Sequence, residues 1–381
     1  MQRQASRRAF LSGMVAVAAT AHLDAAPGAA RQRRWVDVHH HFIPSGYRAF
    51  FESARNTDGS PAIVPPTQWT LAADLEDMDR AGVRTALLSM FVPPTVGTTA
   101  QRSALARAIN EGAARLVADH PGRFGSLAAL PLPDVDASLA EVAYAADTLK
   151  AQGFAVYTNV GERWIGDRAF DPLFAELDRR RAVLFVHPVT AACCQNLLAG
   201  VPDNIIEYQT DTTRAIASVV FGGVTTRFPG IRFVFSHGGG TMPYLIERFL
   251  GGTAAEIVPG VVTSGQGGRY VPRQPEGGVL AHLRRLHYDT AQCANPVAMR
   301  ALRTVVGPEQ VLFGTDYFYR TAVETVRGLE TCGAFSGAEL DAIARGNAAR
   351  LFGLQERAAG APTTQRTRTV FASLPTVGNG M

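Results

Sequence analysis

Beyond residue 34 the chain alternates short apolar runs with longer amphipathic ones. The apolar runs are Trp35–His39, Arg84–Met90, Gly125–Leu130, Phe154–Thr158, Val183–His187, Ile231–His237, Leu286–Thr290 and Val311–Thr315. They are short and rich in Val, Leu, Phe or Ile, as strands buried on both faces should be. Between them lie patterns with helical spacing: Leu71–Ala81, Ala100–Asp119, Val135–Gln152, Phe170–Arg181, Asp203–Arg227, Met242–Leu250, Pro296–Val305 and Thr321–Cys332. Pro296 suits a first helical position. A last pattern, Gly337–Phe352, follows. Eight strands, each followed by a helix, predict one α/β domain folded as a (β/α)8 TIM barrel. The alternative is an open doubly wound sheet, which usually has fewer strands.

Three segments depart from this unit. Residues 43–70 form a long excursion after the first strand, and residues 251–279 are rich in Gly, Pro and Gln. Both are expected as lid insertions over the barrel mouth. Residues 356–381 read as a disordered polar tail. At the other end, Ser6-Arg7-Arg8-Ala9-Phe10-Leu11 precedes an apolar stretch to Ala21 that is too short for a stable span. This is the pattern of a twin-arginine export signal, residues 1–30. The barrel domain is then 31–355 and the destination the periplasm.

Composition narrows the classes. The 381 residues are 46% hydrophobic and 18% charged, which is globular. No apolar run reaches the roughly 18 residues of a membrane span, so stable membrane anchoring is not expected. The net charge is only +4 and the basic residues are dispersed, which argues against nucleic acid as a partner. Four cysteines exclude a disulfide scaffold. Cys193 and Cys194 are adjacent, and the ring their pairing would close is strained. All four are read as buried or half-buried thiols. Of the 37 basic residues only Lys150 is a lysine, so a Schiff base, a P-loop or a lysine carbamate has one candidate position.

The strand ends carry the chemistry. The first ends in Asp37-Val38-His39-His40-His41, the fifth in His187-Pro188, the sixth in Ser236-His237-Gly238-Gly239-Gly240 and the eighth in Gly314-Thr315-Asp316. In a parallel barrel these ends converge on one face. Alternation points His39 and His41 the same way and His40 the other. His39, His41, His187 and Asp316 can therefore grip one divalent ion. Imidazoles with one carboxylate suit zinc first, with manganese or iron as alternatives. A single strand histidine is usually structural, but four strand ends bearing ligand-type residues are hard to assign to chance. The triple glycine lacks a full GxGxxG and reads as close backbone approach near a ligand. The acidic run Asp74, Glu76, Asp77 and Asp79 reads as a solvated helix face.

HxH on strand 1, HP after strand 5, SHGGG after strand 6 and GTD after strand 8 resemble the amidohydrolase superfamily. Within it the chain resembles the aminocarboxymuconate-semialdehyde decarboxylase branch, over about residues 34–353. Tyr157–Gly161 and Asp167–Leu177 look most like its 6-methylsalicylate decarboxylase group. Binuclear superfamily members bridge two metals with a carbamylated lysine at the end of strand 4. This chain has Tyr157, Thr158 and Asn159 there, so one metal ion and no organic cofactor are implied. The resemblance assigns His39, His41, His187 and Asp316 to the metal and His237 to non-ligand acid–base chemistry, where an imidazole serves both roles near neutrality. Asp316 would double as proton shuttle. The activity implied is non-oxidative decarboxylation of an aromatic or unsaturated carboxylic acid, a hydroxybenzoate first. The alternatives are a hydrolase or hydratase acting on a lactone, amide or C=C bond, and a non-catalytic periplasmic metal- or ligand-binding barrel. A carboxylate substrate wants a cation, for which Arg48, Arg163 and Arg320 are candidates; Tyr157 and Asn159 are candidates for the ring. A homodimer is expected from the branch.

Overall fold

The computed structural model describes residues 33–56, 59, 62, 68–251 and 275–354. The chain divides into units Met1–Arg33 and Arg34–Met381, and the description concerns the second. The export signal at 1–30, most of the 251–279 insertion and the 356–381 tail lie outside the described residues.

Eight parallel strands form one sheet in sequence order. They are β1 (Trp35–His41), β2 (Val83–Ser89), β3 (Phe124–Ala129), β4 (Gly153–Tyr157), β5 (Val183–His187), β6 (Arg232–Phe235), β7 (His287–Asp289) and β8 (Val311–Leu312). Closure runs through backbone bonds from Val38 N to Phe313 O and from His41 N to Tyr317 O, 3.0 and 2.8 Å long. A nearly closed (β/α)8 barrel results. Val36, Val38, Leu87, Leu127, Phe185 and Val234 pack inside it, and the last helix, Asn347–Phe352, adds Leu351 and Phe352 to that cluster. A larger apolar layer fills the space between strands and helices. Both faces of each strand are thus buried, which is why the strands read as continuous apolar runs.

The helices start where side-chain caps permit. Thr70, Thr98, Asp134, Asn295, Thr321 and Ser336 each accept a backbone N–H of the first turn. The expected helix 203–227 is broken into a 3-10 turn at Asp203–Ile205 and helices Glu207–Phe221 and Val224–Arg227. Gly223, at φ 74°, makes the second break in a conformation costly for any other residue type. The expected helix 337–352 likewise contains a π turn at Ala342–Gly346. Alternation alone does not foresee the short hairpin of Asn159–Val160 and Arg163–Trp164.

Candidate active site

β1 contains a bulge: the register with β2 slips between Asp37 and His40. One extra residue reverses the facing of everything after it. Val36 and Val38 face the barrel interior, and beyond the slip so do His39 and His41. Asp37 and His40 are left on the other side, where they pair at 2.9 Å. His40 also bonds Asp74 Oδ1 at 2.8 Å, and Trp69 donates to Asp74 Oδ2. Asp37 takes the backbone N–H of His39 and both the N–H and hydroxyl of Thr315, which ties β1 to the segment after β8. His40 is therefore a structural histidine. Burial works against its protonation, but the Asp74 and Asp37 carboxylates outweigh that and raise it to about 10. Asp74 and Asp77 are buried, not solvated as the charge run implied. Asp77 accepts the N–H of Ala322 at the start of the helix Ala322–Thr331, so the run fastens one helix to another.

The interior-facing polar side chains meet at the carboxyl ends of the strands. One ligand-type atom each from His39, His187, His237 and Asp316 lies within 4.8 Å of the others. His41 adjoins them, its Nε2 3.1 Å from His39 Nε2 and 2.9 Å from Asp316 Oδ1. All five residues named for metal or acid–base chemistry are thus brought together and buried. His187 Nε2 is buried with no hydrogen-bond partner, and Asp316 Oδ1 has only the imidazole nitrogens of His39 and His41 beside it. Burying polar atoms unpaired is costly, and the shortfall falls on the atoms a cation would engage. The donor set, imidazoles and one carboxylate, fits a divalent ion.

Residues absent from the expected set hold this group in place. Asp289, at the end of β7, accepts from His39 Nδ1 at 2.8 Å and from the backbone N–H groups of His237 and Ala291 at 2.8 and 2.9 Å. Gln292 donates to Asp316 Oδ2, and Oδ1 faces the imidazoles of His39 and His41. A Cβ on Gly314 would lie 2.9 Å from the Cβ atoms of Asp289 and His39, so only glycine lets these two approach. The signal was present in the sequence: Tyr288-Asp289-Thr290 is a fifth strand end with a ligand-type residue. His237, Gln292 and Asp316 have φ of 54°, 53° and 64°. Three non-glycine residues in left-handed backbone within one site represent strain that the surrounding structure sustains.

The electrostatics follow from burial and neighbours. Burial opposes the charge on His39, but Asp289 and Asp316 outweigh it and raise the imidazole to about 10. Asp316 is held well below the usual carboxylate range despite its burial, by His39 and His41. His187 is pushed well below its ordinary value by burial and by its imidazole neighbours. Burial also lowers His237. Its Nδ1 lies 3.0 Å from the Ala291 carbonyl, which can only accept, so Nδ1 carries the proton and Nε2 is the exchangeable position.

Above the cluster opens a cavity of about 570 Å³. Its lining includes His41, His187, His237 and Asp316 with Tyr47, Phe91, Tyr157, Tyr208, Phe318, Tyr319 and Arg320. Phe91 and Tyr157 stack, centroids 4.8 Å apart. Of the substrate candidates, Tyr157 and Arg320 line this space. Arg48 is exposed, paired with Glu52 on its own helix, and does not line the cavity. Arg163 is exposed on the hairpin and does not line the cavity. Asn159 donates to Val189 O and Asp211 Oδ2, which makes it a loop fastener. Gly239 and Gly240 do permit close approach, but to Tyr288 and the Gln209 carbonyl, not to a ligand. Lys150 precedes β4 and donates to Asp147 O, at the strand end opposite the mouth.

A polar cluster gathered from β1, β5, β6 and β8 at the carboxyl mouth of a parallel barrel defines an enzyme scaffold of amidohydrolase type. The chain belongs to the amidohydrolase family, whose sequence model matches residues 36–354. The 6-methylsalicylic acid decarboxylase of Penicillium expansum is 35% identical over 290 residues, 74% of this chain and 84% of that protein. A solved 2,6-dihydroxybenzoate decarboxylase complexed with 2,6-dihydroxybenzoate is similar at TM-score 0.70 and 20% identity, covering 84% of this chain and 100% of that one. The 5-carboxyvanillate decarboxylase of Novosphingobium aromaticivorans, solved with bound manganese, is similar at TM-score 0.71 and 18% identity, covering 86% of this chain and 99% of that one. At these identities the two structures speak to the fold.

Proposed function

We propose that the protein is a metal-dependent, non-oxidative decarboxylase of an aromatic carboxylic acid, with a 6-methylsalicylate-like hydroxybenzoate as the favoured substrate. The observation that carries this reading is the buried cluster of imidazoles around Asp316, with His187 Nε2 unpartnered, beneath a cavity walled by aromatic rings. The relative from Penicillium expansum, named for that reaction, supports the substrate.

His39, His41, His187 and Asp316 would hold one divalent ion, zinc first and manganese as the alternative favoured by the solved 5-carboxyvanillate decarboxylase. Such an ion supplies a Lewis acid that fixes oxygen donors and stabilises negative charge. The chain's own residues do the rest. Phe91 and Tyr157 offer a flat apolar wall for a ring. Arg320 offers a cation at the mouth for the carboxylate. One proton must reach the ring carbon for each carbon dioxide that leaves, and the electrons of the broken C–C bond return to the ring. His237 Nε2 is the group placed to hold and deliver that proton, and Asp316, beside it, would shuttle it. No redox group enters this balance.

The choice between His41 and His237 as ligand has a direct test. His41→Ala should lose metal, whereas His237→Ala should keep it and lose turnover by about 10²–10⁴-fold. Carbon dioxide release from a panel of hydroxybenzoates tests the reaction. Hydrolysis of lactones or amides without gas would overturn it in favour of hydrolase chemistry.

Export through Arg7 and Arg8 to the periplasm is part of the proposal. Cell fractionation of the Arg7→Lys/Arg8→Lys double variant, retained in the cytoplasm if the signal works, tests it. A homodimer is proposed as well. Its support is five exposed apolar residues between Leu197 and Ile206, and light scattering gives the answer.

A further inference from the structure

The loop from Pro188 to Ile206 joins β5 to the helix Glu207–Phe221. It contributes Pro188, Val189 and Asn204 to the cavity wall. Midway, the 3-10 turn Ala192–Cys194 carries two cysteines that the proposed chemistry does not use. Their sulfurs lie 2.7 Å apart. That is well inside ordinary sulfur–sulfur contact. Cys193 is exposed and Cys194 buried, and neither is in a disulfide. The contact is a hydrogen bond between the two thiols themselves.

We infer that Cys193 and Cys194 form a redox modification site that closes reversibly to a vicinal disulfide in response to hydroperoxides. The exposed Cys193 thiolate attacks the peroxide oxygen and becomes a sulfenic acid, releasing an alcohol or water. Cys194 then attacks the Cys193 sulfur and displaces water. In sum, two thiols and one hydroperoxide give one disulfide, one alcohol and one water, and the two electrons pass from sulfur to the peroxide. The hydrogen bond from Cys193 and burial hold the Cys194 thiol above its ordinary value, and Arg214, on the following helix, opposes them in part. Consecutive Cα atoms are only about 3.8 Å apart, short of the 4.4–6.8 Å of ordinary disulfides. The bridge is accordingly strained, and strained bridges are the readily reduced, labile kind. This separates it from a permanent structural staple. The inference stands on the loop geometry and is independent of the proposed decarboxylation.

The test is a thiol count on full-length protein, denatured after treatment with hydrogen peroxide. The reduced protein should titrate all four cysteines. The treated protein should titrate two fewer, and dithiothreitol should restore them. Peptide mapping should place the bridge within the peptide spanning 193–194, lighter by two hydrogen atoms. Cys194→Ser should instead trap a Cys193 sulfenic acid that dimedone labels, and Cys193→Ser should abolish the loss of thiols. Four intact thiols, oxygen added at Cys193 of the unmutated protein, or a bridge between two chains on a non-reducing gel would each overturn the inference.

Discussion

Asp289→Asn tests how the proposed metal ligands are oriented. Asp289 Oδ1 accepts two backbone N–H groups, from His237 and Ala291. An asparagine must keep its carbonyl oxygen there, because its amide NH₂ cannot accept. The NH₂ therefore lands where Oδ2 stood, 2.8 Å from His39 Nδ1. His39 must then present a lone pair at Nδ1 and carry its proton on Nε2, the atom directed at Asp316 and His41. The substitution is nearly isosteric, keeps both backbone bonds and removes the charge that helps raise His39. Loss of such an orienting carboxylate typically costs 10–100-fold in metal affinity, about 1.4–2.7 kcal/mol. Competition with a chromophoric chelator measures it, and circular dichroism verifies the fold. Metal affinity equal to that of the unmutated protein, in a folded variant, would refute the reasoning: His39 would then not depend on Asp289 for its tautomer.

Other expectations concern stability and binding. His40→Ala leaves the Asp37 and Asp74 carboxylates buried without their shared cation, and urea unfolding should show a loss of about 3–5 kcal/mol. The pH dependence has a definite sign. His40 sits at about 10 in the fold against an ordinary 6.5, so its contribution is complete below pH 6.5 and lost as pH rises through 10. Urea midpoints at pH 6.5 and 9.5 should differ less for His40→Ala than for the unmutated protein; an equal difference would assign the titration elsewhere. Gly314→Ala puts a methyl against His39 and Asp289 and should cost about 1–3 kcal/mol together with bound metal, read by urea unfolding and metal content. Arg320→Gln should raise KM for a hydroxybenzoate about two- to fivefold with kcat little changed, since its guanidinium is half exposed and screened. Steady-state kinetics that show a loss in kcat alone would remove Arg320 from carboxylate binding.

Order and type of the eight strands were legible from alternation, because a strand covered on both faces must be apolar throughout. The positions of His39, His41, His187, His237 and Asp316 at strand ends were legible too, because parallel strands bring their carboxyl ends to one mouth. Pairing partners were not. Asp74 and Asp77 look like a solvated helix face until His40 and Ala322 are seen against them. Arg48, Arg163 and Arg320 are alike in sequence, and only the cavity distinguishes Arg320. Asp289 became part of the site through contacts 250 and 52 residues away. The bulge in β1 was equally hidden, since one extra residue changes which histidines face inward without altering composition or periodicity. Periodicity reports which face of an element is buried. What each buried polar atom meets is set by closure of the barrel, which joins segments distant in the chain.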